Sequence, residues 1–178
     1  QSLDETNPEV FINWGVYYLK RGQKTQAKRY FSMAIEKAGE ENTFDVYLII
    51  ARAYKAEDDM EQAISYLTEV LDFEPENSEV IFELTNCYHE MGDFEEEIKI
   101  YDKVLAEDPF EELIWYQKGD AHWELGQINK AIDAFEFSIA IDPRFTLPVV
   151  DLADLYIEQG LYQKAIDVLT NYLQYDAE

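Results

Sequence analysis

Three prolines recur at an interval of 34 residues, and this interval constrains the fold more than any other feature of the sequence. They are Pro75, Pro109 and Pro143. Three glycines keep the same interval 17 residues further on, namely Gly92, Gly126 and Gly160. A period of this length is typical of a helix–turn–helix repeat, which cannot bury its apolar face alone and stacks on neighbouring copies. The sequence therefore predicts an all-α fold made of stacked helix pairs.

The shared positions divide the chain into five predicted repeats, which form a single domain over residues 1–178. The repeats are residues 8–41, 44–77, 78–111, 112–145 and 146–178, with a slip of two residues near Asn42. Gly39 and Ala177 stand where the other repeats have the closing proline. We expect the domain to be a fragment of a longer repeat protein, because the sequence starts at Gln1 and no polar capping helix follows the fifth repeat.

Within each repeat, a glycine marks the predicted end of the first helix, where a left-handed backbone conformation is common. Asp58 takes this place in the second repeat, at some cost in strain. Asp59 and Asp93 follow as predicted N-caps of the second helices. Small residues are spaced to meet across four of the five helix pairs and to let the two backbones approach closely: Gly15, Ala51, Gly119 and Ala153 with Ala27, Ala63, Ala131 and Ala165.

Together these residues resemble the pattern of the tetratricopeptide repeat family, and the resemblance covers the chain from Pro8 onwards. The fourth repeat shows the pattern best, with Gly119, Gly126, Ala131, Phe135 and Pro143. The resemblance implies a right-handed superhelical solenoid of helix–turn–helix repeats. It also implies a non-catalytic scaffold for protein binding, although the shared residues themselves form a packing motif and do not identify the partner.

The third repeat departs from this pattern, because Thr85 and Glu97 replace the small residues of the other repeats. One expectation is a slightly wider helix crossing, with Glu97 turned to solvent or hydrogen-bonded to Thr85. The other is a locally soft repeat at which the array bends.

The net charge of −24 is distributed unevenly along the chain. Residues 1–43 contain six acidic and six basic residues, whereas residues 44–178 contain 32 acidic and eight basic ones. This charge disfavours nucleic acid and anionic membranes as partners, since both are negative themselves. A basic cluster in the first repeat is either an ordinary solvated face or a docking patch for an acidic neighbour; it comprises Lys20, Arg21, Lys24, Lys28 and Arg29.

No pattern typical of catalysis or of cofactor binding occurs in the sequence. A glycine-rich phosphate loop is absent, and His89 and His122 share no compact ligand spacing with Cys87, the single cysteine. We therefore expect no enzymatic activity, no metal site and no cofactor. A cytoplasmic location is favoured, although the start at Gln1 leaves export open.

By resemblance to the family, the second, fifth, ninth and twelfth residues of each repeat face a concave groove. In the third to fifth repeats, the fifth, ninth and twelfth positions provide the predicted partner-binding residues Phe82, Asn86, His89, Tyr116, Asp120, Trp123 and Asp154. The aromatic rings offer flat apolar surface, and the amide and carboxylate groups accept hydrogen bonds. Such a groove suits a peptide or helix with basic and apolar residues. Alternatively, some of the rings, Tyr116 above all, pack between adjacent first helices.

Capture of a C-terminal carboxylate, which one subfamily of chaperone-binding tetratricopeptide domains performs, is not expected. That subfamily has Lys and Asn at the fifth and ninth positions of its first repeat, where this sequence has Ile12 and Val16. Self-association is the alternative function. It would use an apolar face of the fifth repeat that lacks a partner in this chain, formed by Ile166, Leu169, Tyr172 and Leu173.

Overall fold

The computed structural model describes residues 7–176, apart from the side chains of Glu40, Glu41 and Asp176. These residues form α-helices joined by short turns and contain no β-strand, so that the predicted all-α fold is confirmed. The chain divides between Met91 and Gly92 into two compact units, which we call the N-terminal and the C-terminal unit. Ala177 lies outside the described residues.

The N-terminal unit consists of α1 (Pro8–Leu19), α2 (Lys24–Lys55), α3 (Met60–Phe73) and α4 (Ser78–Met91). α2 is two helical segments, residues 24–38 and 40–55, which meet at Gly39. Gly39 has φ of 68° and ψ of 174°, a conformation that favours glycine and breaks the helix. No closing proline is present here, and the chain turns at a single residue instead of passing through an extended connection.

The C-terminal unit consists of α5 (Phe94–Glu107), α6 (Glu112–Glu124), α7 (Ile128–Ile141), α8 (Thr146–Glu158) and α9 (Tyr162–Asp176). In its core, Phe135 of α7 packs with Leu152 and Tyr156 of α8 and with Ala165 of α9. The prolines of the 34-residue pattern each lie two residues beyond the end of a helix, which is expected because proline cannot continue one.

Helix ends also follow the sequence pattern. Four glycines at the predicted ends of first helices have positive φ, namely Gly22, Gly92, Gly126 and Gly160. Asp58 adopts φ of 60° at the equivalent place, and it is the only non-glycine residue with positive φ in the part of the chain that is described. The side chains of Asp59 and Asp93 accept backbone N–H groups at 3.4 and 3.5 Å, which confirms both as N-caps.

A phenylalanine of the second helix is the side chain nearest to Gly15 and to Gly119. A Cβ atom at Gly15 would lie 2.3 Å from the ring of Phe31, and one at Gly119 would lie 2.5 Å from the ring of Phe135. Both rings are fully buried. The predicted pairing of glycine with alanine therefore missed an aromatic ring one helical turn further along the second helix.

Glu97 is buried, so the expectation that it turns to solvent is wrong. Its side chain is 3 % exposed, and Oε1 accepts a hydrogen bond of 2.8 Å from the phenol of Tyr101. Thr85 is also buried and donates to the backbone carbonyl groups of Ile81 and Phe82 at 3.0 and 3.1 Å. Each polar side chain thus has a partner on its own helix, which offsets the cost of removing it from water.

Candidate protein-binding surface

The predicted partner-binding residues lie on three first helices, in two groups. α4 carries Phe82, Asn86 and His89 in the N-terminal unit, whereas α6 carries Tyr116, Asp120 and Trp123 in the C-terminal unit, together with Asp154 on α8. On α4 and on α6 the spacing of four and then three residues places the members on one helix face.

On α4, only Phe82 is as exposed as the sequence predicted. Its side chain is 55 % exposed, whereas Asn86 and His89 are half-buried. The amide oxygen Oδ1 of Asn86 accepts a hydrogen bond from Nζ of Lys55. This acceptor is therefore already occupied by a base of the preceding repeat.

An ion-pair network joins residues 40–55 of α2 to α4 around Asn86. Arg52 contacts Oε1 of Glu79 at 2.6 Å and Oε1 of Glu83 at 3.0 Å, and Lys55 contacts Oε2 of Glu83 at 3.2 Å. Desolvation raises the pKa of the Glu83 carboxyl, but hydrogen bonds from Arg52 and Lys55 outweigh it and hold this pKa below its ordinary value. The acidic face of α4 is thus largely neutralised by the protein itself.

Arg52 and Lys55 are the ninth and twelfth residues of the second repeat, and their ion pairs were not predicted from the sequence. The sequence nevertheless contained a signal for these ion pairs. The ninth and twelfth residues of one repeat lie beside the second and sixth residues of the next, and here the latter are the acidic residues Glu79 and Glu83.

On α6, the aromatic residues pack against the core. The rings of Tyr116 and Trp123 lie 5.9 and 6.2 Å from that of Phe135, and Tyr116 also meets Phe145 edge-on at 5.4 Å. Burial, together with a hydrogen bond to Asp151, raises the pKa of the Tyr116 phenol. Both rings therefore pack on the core through Phe135, and each remains partly exposed.

α8 carries exposed apolar and acidic side chains next to this group. Val150 and Ile157 are 43 % and 47 % exposed, and Asp154 between them is exposed as well. The hydrogen bond between Tyr116 and Asp151 connects α8 to α6. We define the α6–α8 face by five residues: Asp120, Trp123, Val150, Asp154 and Ile157. Val150 and Ile157 were not predicted as site residues from the sequence, although they occupy the same repeat positions as Phe82 and Trp123.

Three exposed carboxylates lie on the α6–α8 face or at its rim. Glu124, Asp154 and Glu158 form no ion pair with any residue in the described range. The nearby base Lys118 is engaged elsewhere, since its ammonium lies 2.6 Å from Asp102 and 4.8 Å from the centre of the Trp115 ring. The acidic character expected for the whole groove is therefore concentrated on the C-terminal unit.

The basic cluster of the first repeat lines a cleft of about 530 Å³ between α2 and α3. Lys24, Lys28 and Arg29 contribute to it, but Asp59 and Glu61 line it too, and Lys24 pairs with Asp59 at 2.7 Å. The cleft is thus a surface of mixed charge, with three basic and two acidic side chains.

Other classes of site find no support in residues 7–176. No group of three or more His, Cys, Asp or Glu side chains among them could hold a metal ion. Burial raises the pKa of the Cys87 thiol, which disfavours the reactive thiolate. No helix in this range is long and apolar enough to cross a membrane.

The helix pairs match a known repeat family. The sequence profile of the tetratricopeptide repeat matches residues 54–120 and 122–178, whereas no curated protein matches the chain. Among solved structures, a crystal structure of MamA protein has a TM-score of 0.67 and 19 % identity, and it covers 97 % of this chain and 92 % of that chain. MamA from residue 41 to its end, from Desulfovibrio magneticus RS-1, has a TM-score of 0.67 and 18 % identity over 99 % of this chain and 98 % of that chain. Identity this low shows a common fold alone.

Proposed function

Because this chain belongs to the tetratricopeptide repeat family, whose fold is a scaffold for protein–protein interaction, we propose that it binds a protein segment containing basic and apolar residues. The segment, a peptide or a helix, binds to the α6–α8 face. The role is non-catalytic, since recognition there requires only ion pairs, hydrogen bonds and apolar contact.

The observation that supports this assignment is the combination of exposed apolar and unpaired acidic side chains on α8. Val150 and Ile157 are each more than two-fifths exposed, and they flank Asp154, which has no basic partner among residues 7–176. Apolar groups on a partner would be removed from water on Val150 and Ile157. A lysine or arginine of the same partner would meet Asp154.

The contacts between α2 and α4 illustrate the chemistry of such binding within the protein itself. Arg52 donates hydrogen bonds to two carboxylates of the following repeat, and Lys55 donates to a carboxylate and to Asn86. The residue at the position of Arg52 is Asp154 in the fifth repeat, and Asp154 forms no ion pair with any residue in the described range. A base of the partner pairs with Asp154 in our proposal.

Apolar contact provides most of the affinity in this arrangement, and charge provides selectivity. Exposed ion pairs each contribute only about 0–1 kcal/mol and are screened by salt. Trp123 adds a partly exposed aromatic face, which attracts Lys or Arg by a cation–π contact. We therefore expect selection for basic over acidic segments and weaker binding at high salt.

A random peptide library displayed on phage tests the proposal without a known partner. The wild-type protein should enrich peptides that combine Lys or Arg with apolar residues. The variant Asp154→Lys/Ile157→Ser changes two exposed side chains and should bind a selected peptide at least about tenfold more weakly. Binding is measured by fluorescence anisotropy at low and high salt.

Glu95→Lys on α5 is the matched control, because it makes the same change of charge at an exposed residue away from the α6–α8 face. It should bind the selected peptide as the wild type does. Enrichment of acidic peptides, or equal loss of affinity in both variants, would contradict the proposal.

A second candidate function is self-association through α9, favoured by the exposure of its apolar side chains. Ile166 and Leu173 are 55 % and 64 % exposed, and Leu169 is 39 % exposed. Tyr172, which the sequence reasoning grouped with them, is half-buried, and its hydroxyl lies 2.8 Å from that of Thr146. Sedimentation velocity over a range of concentrations tests this candidate, and a strict monomer argues against it.

A further inference from the structure

The apolar residues of α9 occupy positions that are covered in the preceding repeat. On α7, Ile128, Ile132 and Ile139 pack against the core cluster that contains Leu152, Leu155 and Tyr156 of α8. The residues 34 positions later are Tyr162, Ile166 and Leu173. α9 therefore presents the same apolar surface that, on α7, packs against the first helix of the next repeat.

We define the tail face by four apolar residues of α9 that remain accessible. They are Tyr162, Ile166, Leu169 and Leu173, with exposed fractions of 64 %, 55 %, 39 % and 64 %. The equivalent of Leu169 on α7 is Phe135, which is fully buried. A first helix packed on α9 would cover this face as α8 covers α7.

The first helix pair presents the complementary surface. The positions on α1 that correspond to Leu152, Leu155 and Tyr156 of α8 are Trp14, Tyr17 and Tyr18. On α8 these positions are at most 2 % exposed, whereas Trp14 and Tyr17 are 40 % and 43 % exposed. α1 thus exposes the face that, on α8, packs against the second helix of the preceding repeat.

Ring stacking holds this surface in place. We define the head face as Trp14, Tyr17, Tyr18 and Tyr30 with Arg21. Tyr30 of α2 stacks on Tyr18 at 5.3 Å and on Trp14 at 6.1 Å, and Arg21 lies 4.5 Å above the ring of Tyr17. Rings fixed by mutual contact lose little further freedom on binding, and they offer a large apolar area.

The two faces lie in segments of opposite charge. Residues 10–35 contain five basic residues and no acidic one, in a chain of net charge −24. Residues 146–178 contain six acidic residues and one basic residue. Two tail faces would bring acid to acid, and two head faces would bring base to base, so that only the mixed pairing places opposite charges together.

We propose that the tail face of one copy of this protein packs on the head face of a second copy. Within the C-terminal unit, the second helix α7 packs on the next first helix, α8. The proposed contact repeats this packing between two molecules. This inference rests on the proposed self-association through α9 and specifies the two surfaces that pair. Because the two faces differ, each copy keeps one free head face and one free tail face, and the association is not limited to dimers.

A mixing experiment with two blocked variants tests the pairing. Ile166→Glu/Leu173→Glu blocks the tail face, and Tyr17→Ser/Arg21→Glu blocks the head face; all four side chains are exposed. Each variant alone should remain monomeric in sedimentation velocity, while the wild-type protein should grow in mass with concentration. An equimolar mixture should form a heterodimer and nothing larger, because one intact head face and one intact tail face remain.

Mass that rises with concentration in the wild type supports self-association in any arrangement, whereas only the mixture tests the pairing of head with tail. A head-blocked variant that still dimerises alone would instead show symmetric tail–tail contact and would overturn the proposal. So would a mixture that stays monomeric, or a wild-type protein that is monomeric at every concentration. The mixed contact should also weaken roughly tenfold between low and high salt, owing to screening.

Two controls separate a blocked face from a damaged fold or an altered charge. Circular dichroism checks helicity, and the single variants Arg21→Glu and Leu173→Glu repeat the mixing experiment if a double variant unfolds. Phe110→Glu adds a negative charge at a side chain that is 73 % exposed and outside both faces, and it should associate as the wild type does.

Discussion

The phenol of Tyr101 donates a hydrogen bond of 2.8 Å to the carboxylate of Glu97, one turn earlier on α5, and neither side chain is more than 3 % exposed. The equivalents of Glu97 in the other four repeats are alanines, namely Ala27, Ala63, Ala131 and Ala165. The third repeat thus has a buried polar pair where the others have a close apolar contact.

Replacing Glu97 with alanine should destabilise the protein by about 1–3 kcal/mol, although it introduces the residue of the other repeats. The hydroxyl of Tyr101 would lose this acceptor, and the larger side chain would leave unfilled volume. Urea denaturation followed by circular dichroism measures the change. The double variant Glu97→Ala/Tyr101→Phe should lose less free energy of unfolding than the two single variants lose together. Strict additivity of the two losses would show that the residues are not coupled.

Gly119→Ala should destabilise the C-terminal unit by about 1–3 kcal/mol, because the new Cβ would lie 2.5 Å from the buried ring of Phe135. This cost exceeds the gain of up to about 1 kcal/mol that alanine brings to a helix. Thermal unfolding provides the measurement. Adding Phe135→Leu should recover part of the loss by opening space, whereas a Gly119→Ala protein as stable as the wild type would contradict the close approach.

Asp58→Gly should stabilise the protein by about 0.5–1 kcal/mol, because Asp58 adopts φ of 60°, where a side chain is strained. Gly126→Ala is the converse control, since a Cβ at Gly126 meets no atom within 4 Å and only the backbone conformation opposes it. It should destabilise by about 1 kcal/mol. Both are measured by urea denaturation, and effects of the same sign in the two variants would argue against backbone strain at these turns.

Stability should decrease as the pH falls from about 7.5 to about 5.5, because His122 resists protonation in the fold. Burial lowers its pKa below the ordinary value, with Lys130 and Lys118 acting in the same direction, and the ring nitrogen Nδ1 lies 3.1 Å from Oε1 of Gln127. The unfolded chain binds the proton at a higher pH than the folded chain, and so falling pH favours unfolding.

His122→Tyr tests this dependence and introduces the residue that the other four repeats carry: Tyr18, Tyr54, Tyr88 and Tyr156. The free energy of unfolding of the variant should vary less with pH in this range than that of the wild type. An unchanged slope would show that other groups cause the dependence.

Backbone features were predictable from the sequence because they depend on local chemistry. The ends of first helices at Gly92 and Gly126, and the strained turn at Asp58, follow from residue type and position within the repeat. The period also placed the groove positions on the first helices, since each is fixed by counting along one repeat.

Side-chain partners were less predictable, because they depend on which long side chain reaches which neighbour. The bond of Tyr101 to Glu97 was missed although the spacing of four residues would have indicated it. The engagement of Asn86 by Lys55 joins residues 31 positions apart, and no local pattern reveals it. The contact of Trp123 with Phe135 was not predicted for a similar reason, since Phe135 lies on another helix.

The ion pairs of Arg52 and Lys55 have a consequence for how such a chain can evolve. Repeats built on a common packing motif are interchangeable modules in principle, and recombination could shuffle them. Exchanging the second repeat for the fourth would, however, place Asp120 and Trp123 beside Glu79 and Glu83, which now receive two cations. The second and third repeats are therefore matched by charge and are constrained to be inherited together, whereas packing alone would leave their order free.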